Sequence, residues 1–256
     1  RGHGFLKGYV KCVTLPLRSV AACLAGALRA NSLRACSGSS RRRVASPALS
    51  QEGDMGASLR IGVDVDDVLV ESLPGYLQAF RSHFGRDVRI EDAAWEIFPR
   101  YPDIPAGEMG KFFGKLEETN FLGTRPVYPE APAGVRALAG AGHRLVVVTG
   151  RLSEHRHHTQ RLLESAGIAE LFEDLVHRDG ETAAEYKPRV IRERRLDLLI
   201  DDELHVAVAA ARVPVPVLLF DRPWNQGELP GGITRVSGWT QILRCVEAAA
   251  ATCTTC

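Results

Sequence analysis

RIGVDVDDVLVES, Arg60 to Ser72, begins as a short apolar run and then places Asp64, Asp66 and Asp67 within four positions. An apolar run bounded by turn-forming acids reads as a buried strand. Carboxylates crowded at the end of such a strand repel one another unless an opposite charge sits among them. Residues two apart on a strand face the same way, so Asp64 and Asp66 are expected to converge and Asp67 to face away. The question is whether this is a solvated strand end or a place that holds a cation and a phosphate.

Four further runs read as strands: HRLVVVTGR (His143 to Arg151), LFEDLVHR (Leu171 to Arg178), LDLLIDDE (Leu196 to Glu203) and VPVLLFDRP (Val215 to Pro223). They are nearly continuous in apolar character, as suits parallel strands covered on both faces. Helical stretches alternate with them. APAGVRALAGAG ends on glycine, and SEHRHHTQRLLESAG offers Ser153 as N-cap and Gly167 as stop. KPRVIRERR places Lys187 at a helix start, with Pro188 in the first turn. ELHVAVAAARV and SGWTQILRCVEAAA follow, the latter with Trp239, Ile242 and Val246 on one face. The alternation predicts an α/β fold with a parallel sheet.

One span breaks the alternation. Residues 72–125, carrying LPGYLQAFRSHFG, RIEDAAWEIF and AGEMGKFFGKLEE, are too long for a single crossover helix. They read as a small helical cap inserted after the first strand, over the carboxyl edge of the sheet where open α/β folds bind ligands. The core is then 59–71 and 126–250. The cap aromatics Tyr76, Phe80, Phe84, Trp95, Phe98, Phe112 and Phe113 are each expected to form the cap's own core.

Residues 1–58 hold nine Arg or Lys and two acids, a charge of +7, so the rest carries −6 within the net +1. An acidic body argues against a nucleic-acid binder. Residues 1–50 contain no acid, and SLRACSGSSRRRVASPALS has the Arg- and Ser-rich character of a transit peptide. SVAACLAGAL is too short to span a bilayer but matches a signal-peptide core. The leader is therefore read as disordered: either a targeting segment for a mitochondrion or plastid, or a non-native extension before MGASLRIGVDVDDVL, in which case a cytoplasmic protein is expected. Cys12, Cys23, Cys36, Cys245, Cys253 and Cys256 all lie outside 37–244, which excludes a disulfide framework or a cysteine zinc site in the body.

The predicted strands end in polar groups: Asp64 and Asp66, then Thr149-Gly150-Arg151, then Asp201 and Asp202, with Lys187 at a helix start between them. Acids, a hydroxyl and a lysine at adjacent strand ends are what phosphoryl transfer needs. Mg²⁺ takes oxygen ligands, commonly one or two carboxylates plus substrate phosphate. Thr149 and Lys187 can then hold phosphate oxygens. Arg151 suits either a phosphate or a nearby acid. His155, His157 and His158 read as a solvated helix face rather than a metal cluster. Asp221 and Asn225 in DRPWN read as turn formers.

In order, DVDDVL, VVVTGR, the lysine of YKPRV and LLIDDE resemble the four signatures of the haloacid dehalogenase-like (HAD) hydrolase superfamily, across about residues 59–225. The resemblance implies a Rossmann-like core and a Mg²⁺-dependent phosphomonoesterase. It casts Asp64 as nucleophile and Asp66 as acid and base. Thr149, Gly150, Arg151 and Lys187 are cast as the substrate-binding set. Mg²⁺ would be held by Asp64, the backbone carbonyl of Asp66, and Asp202, with Asp201 in support. Asp67 stands where many relatives have Gly and is given no catalytic role. YPEAPAGVRALAGAGHRLVVVTGR and LLFDRPWN further resemble the 5′(3′)-deoxyribonucleotidase branch and its bacterial-type relatives, which implies a nucleoside monophosphate substrate. The alternatives are another small phosphate ester, such as a sugar phosphate, and a HAD-fold binding protein without turnover. A response regulator fits poorly, having no room for a cap. The expected partner is a small phosphorylated molecule, with neither nucleic acid nor membrane; a homodimer stays open.

Overall fold

The computed structural model describes residues 57–93 and 97–254. The leader reading falls almost wholly outside them, as does Trp95. Six strands form one parallel sheet: β1 (Arg60–Val63), β2 (Arg144–Leu152), β3 (Phe172–Arg178), β4 (Leu198–Asp201), β5 (Val217–Phe220) and β6 (Ile233–Val236). Their spatial order is β3-β2-β1-β4-β5-β6. β6 is absent from the sequence reading: ITRV is four residues long, only half-buried, and lies at the sheet edge.

Alternate residues of each strand feed two cores. Ile61, Val63, Leu145, Val147, Leu198 and Ile200 pack against α3 (Ala131–Gly140), α4 (Arg156–Ser165) and α7 (Trp239–Thr254). Val146, Val148, Leu199, Val217 and Leu219 pack under α5 (Ala183–Arg194) and α6 (Leu204–Ala210). Burying each such side chain stabilises by roughly 1.5–3 kcal/mol, which is why the runs are apolar at every position. Two glycines mark close approaches. A Cβ on Gly62 would meet Leu196 at 2.8 Å, and one on Gly134 would meet the Trp239 ring at 2.2 Å.

Register aligns the strand ends. Val63 pairs with Val147 of β2 and with Ile200 of β4, so Asp64 lies level with Asp201 at one edge. β1 stops at Val63, sooner than expected. The chain then turns, with Leu69 and Val70 amides donating to the Val65 carbonyl and Asp67 at φ 56°. Strand alternation therefore does not orient Asp66 and Asp67.

Two helix starts differ from expectation. α5 begins at Ala183, behind a capping box in which Thr182 and Glu185 bond each other's backbone amides. Pro188 is inside the helix and Lys187 lies in its second turn, not at its start. α4 is preceded by a 3₁₀ turn over Ser153–His155, and Ser153 Oγ bonds Asp179 rather than capping the helix.

The 72–125 span folds around α1 (Leu73–Phe84) and α2 (Ala106–Glu118), joined by 3₁₀ turns at Ile90–Asp92, Phe98–Arg100 and Phe121–Gly123. Of RIEDAAWEIF, expected to be helical, the described residues form the turn at Ile90–Asp92 and begin the one at Phe98, while 94–96 lie outside the described residues; Pro99, Pro102 and Pro105 deny amide donors to a helix continuing past it. Tyr76, Phe80 and Phe112 are buried in the cap cluster, with edge-on contacts such as Tyr76–Phe112 at 5.6 Å. Phe113 is half exposed.

Candidate active site

Asp64 follows directly on β1, its amide bonded to the Ile200 carbonyl of β4. One carboxylate oxygen accepts from the Val65 amide at 2.7 Å, and the other accepts from Lys187 Nζ at 2.6 Å. Lys187, only 1% exposed, also donates to Asp201 Oδ2 at 2.7 Å. The other oxygen of Asp201 accepts from the amides of Asp202 and Glu203, which lock it in place. The second turn of α5 thus delivers an ammonium between two strand ends.

Asp66 has other partners. The Arg151 guanidinium grips it through Nε at 2.8 Å and through a second nitrogen at 2.7 Å, and Ser72 Oγ donates to it as well. Arg151 sits where β2 loses register with β3, between Val148 and Leu152. It also donates to the Leu122 carbonyl of the cap span and to Thr159 Oγ1. Of the two roles open to Arg151, the structure gives it the acid. Thr149 is fully buried between β1 and β3, and its Oγ1 accepts the Arg151 amide. The Gly150 carbonyl accepts from Arg178, and no atom lies closer than 3.7 Å to where a Gly150 Cβ would be.

Asp202, 1% exposed, receives the Trp224 indole N–H at 2.9 Å, and its carbonyl accepts from Asn225 Nδ2. Asn225 also bonds the Phe220 carbonyl and closes a turn with Arg222, as expected of a turn former. Trp224 was not singled out in the sequence. It joins Asp202 to the cap cluster, against which its ring packs. Ser72 and Arg222 were also missed; Arg222 donates twice to the Asp67 carbonyl. Asp67 itself accepts the Ser72 and Leu73 amides and so caps the start of α1.

The electrostatics separate the two neighbouring acids. Burial pushes Asp64 up to about 7 against the pull of Lys187, and Asp201 adds to the rise. Asp202 is raised well above the carboxylate range by burial and by Asp67, Glu203 and Asp201. Asp66 is also desolvated, but the Arg151 charge and hydrogen bonds outweigh this and hold it below its ordinary value. Burial opposes the Lys187 charge too, and the two facing carboxylates overcome it. Oxygens of Asp64, Asp201 and Asp202 lie within 4.8 Å of one another. Were all three carboxylates ionised, one ammonium would leave two negative charges uncompensated, and an all-oxygen donor set suits a hard divalent cation. The Asp66 side chain is turned to Arg151 and is outside this group.

The solvated face expected of the histidines holds for His157 only. His158 is buried, 7% exposed, and faces Glu117 of the cap.

No family model matches the chain. Two curated relatives are similar over most of their length. "Putative nucleotidase BH1399" of Halalkalibacterium halodurans is 24% identical over 194 residues, covering 73% of this chain and 92% of the relative. "Putative nucleotidase YqfW" of Bacillus subtilis is 21% identical over 192 residues, with the same coverage. Among solved structures, a haloacid dehalogenase-like hydrolase, SP0104 of Streptococcus pneumoniae, aligns with a TM-score of 0.57 at 12% identity, over 73% of this chain and 97% of that one. CbbY of Rhodobacter sphaeroides, solved with xylulose-1,5-bisphosphate, aligns at 0.56 and 16% identity, over 72% and 96%. The chain has the fold of the haloacid dehalogenase-like hydrolases.

Proposed function

We propose that the chain is a Mg²⁺-dependent phosphomonoesterase that works through an aspartyl-phosphate, with (deoxy)nucleoside 5′-monophosphates as its substrates. The observation that carries this reading is the buried Asp64–Lys187–Asp201 array with Asp202 beside it. Asp64, Asp202 and the Asp66 carbonyl would hold Mg²⁺, which supplies charge neutralisation for the incoming phosphate.

The Asp64 carboxylate attacks phosphorus and the ester P–O bond breaks. The leaving oxygen takes a proton from Asp66. Asp66 then takes a proton from water, whose oxygen attacks the phosphorus, and Asp64 is released with inorganic phosphate. Arg151 and Ser72 keep Asp66 deprotonated in the free protein, which suits the second half. For the first half Asp66 has to gain a proton. A substrate phosphate competing for the Arg151 guanidinium loosens its grip on Asp66 and allows this. Lys187 and Thr149 stabilise the phosphoryl oxygens.

The two curated relatives named as nucleotidases support the substrate class. The neighbour solved with a sugar bisphosphate favours the second reading, a sugar-phosphate phosphatase. Phosphate release from a panel of deoxynucleotides, ribonucleotides and sugar phosphates with Mg²⁺ separates the two. Turnover of sugar phosphates without nucleotides sinks the narrower reading, and no turnover of any ester sinks both.

A further inference from the structure

The seam between cap and core carries a second constellation that the proposed reaction does not use. Glu117 projects from the C-terminal end of cap helix α2 towards the start of core helix α4. One of its oxygens is 3.1 Å from His158 Nε2, and the other is 3.5 Å from His155 Nε2. The His157 ring lies against that of His158, tilted by 42°, with centroids 3.8 Å apart. Ligand atoms of Glu117, His157 and His158 lie within 4.8 Å of one another.

The donor set differs in kind from that of the strand-end acids. Neutral imidazoles with one carboxylate select zinc-like transition cations, whereas Mg²⁺ prefers oxygen alone. The imidazoles are suitably prepared. His157 Nδ1 lies 3.1 Å from the Glu154 carbonyl; with Nδ1 as donor, the Nε2 lone pair is free. Glu117 and His157 are exposed, so small rotations can draw their atoms to the bond lengths of about 2.0–2.2 Å that zinc requires. Buried His158 is the fixed member, its Nδ1 having no hydrogen-bond partner among the described residues.

We propose that Glu117, His157 and His158 form a binding site for a divalent transition cation such as Zn²⁺. One ligand comes from the cap and the rest from the core, so the bound ion ties the two together. The site needs no cysteine, and its occupancy does not depend on the proposed phosphatase activity.

Titration calorimetry of the full chain with Zn²⁺, in excess Mg²⁺, tests this. The comparison is between wild type and the variants Glu117→Gln and His157→Ala, both at exposed positions where folding is little affected. Cysteines outside the site contribute equally to all three proteins. The expected result is that wild type binds one more equivalent of zinc than either variant. Zinc should also raise the melting temperature of wild type more than that of the variants. Equal stoichiometry and affinity in all three would overturn the proposal. So would an equivalent that survives both substitutions and is lost only in Asp202→Asn, since that places the zinc among the strand-end acids.

Discussion

The core edge and the cap solve opposite problems. At the edge, Asp64, Lys187, Asp201 and Asp202 are each at most 5% exposed, and every one has a named hydrogen-bond partner. In the cap, stability comes from aromatic rings in edge-on contact around Phe80 and Phe112, with charged residues at the surface. Charges at the edge are held in fixed places by strand register, whereas the cap needs only to bury apolar area. Under the proposed reaction, the chemistry would lie at the edge and the cap would shape the space above it. Polar contacts that join the two include Ser72 and Leu73 to Asp66 and Asp67, Arg151 to the Leu122 carbonyl, Trp224 between Asp202 and the cap cluster, and Glu117 against the histidines.

The sharpest way to break this division is Lys187→Met. It leaves Asp64 and Asp201 buried without their cation, which should cost about 3–5 kcal/mol in metal-free protein. Urea unfolding at pH 8 should show the full loss. At pH 5.5 the loss should shrink, because Asp64, raised to about 7, is then mostly protonated. An equal loss at both pH values would mean that packing, not charge, explains it. Next comes Asp66→Asn, expected to lower kcat by about 10²–10⁴-fold, the usual size of general acid–base catalysis. A change confined to KM would remove Asp66 from proton transfer.

Much of the edge was legible in the sequence, because continuous apolar runs that stop at acids or Thr have few other readings. Which acid faces which partner was not. Asp64 and Asp66 look equivalent by alternation, but β1 ends at Val63 and the following turn sends Asp66 to Arg151. The α5 start was written in Thr182-Ala-Ala-Glu185, a capping pattern overshadowed by the Lys-Pro pair that followed. Trp224 carried no local signal. Its bond to Asp202 links the turn after β5 to the end of β4, strands adjacent in the sheet but separated in the sequence by a helix.

Metal linkage gives a smaller, signed effect. Asp64 is raised from 3.8 to about 7, and Asp202 is raised too. Between pH 4 and 7 these two acids therefore hold more protons in the metal-free fold than in the unfolded chain, and their own contribution to stability falls as pH rises through that window. Asp66 acts oppositely: its contribution is present above its ordinary value and is lost as pH falls below it. Mg²⁺ held as proposed would bind the deprotonated acids, so its gain in melting temperature should be larger at pH 8 than at pH 5.5. The reverse order would contradict a carboxylate site. Smallest is Trp224→Phe, which keeps a ring in the cap cluster and removes the donor to Asp202. Mg²⁺ affinity should fall by about 10-fold with little change in melting temperature. Unchanged affinity would make the indole a packing residue only.

The central claim is that Asp64 takes up the phosphoryl group. Acid-quenched samples taken during turnover of a nucleoside monophosphate should yield a peptide over residues 60–72 heavier by one phosphoryl group, localised by mass spectrometry to Asp64 and absent from Asp64→Asn. Phosphate release by Asp64→Asn at the wild-type rate, or a phosphoryl group on any other residue, would contradict the account.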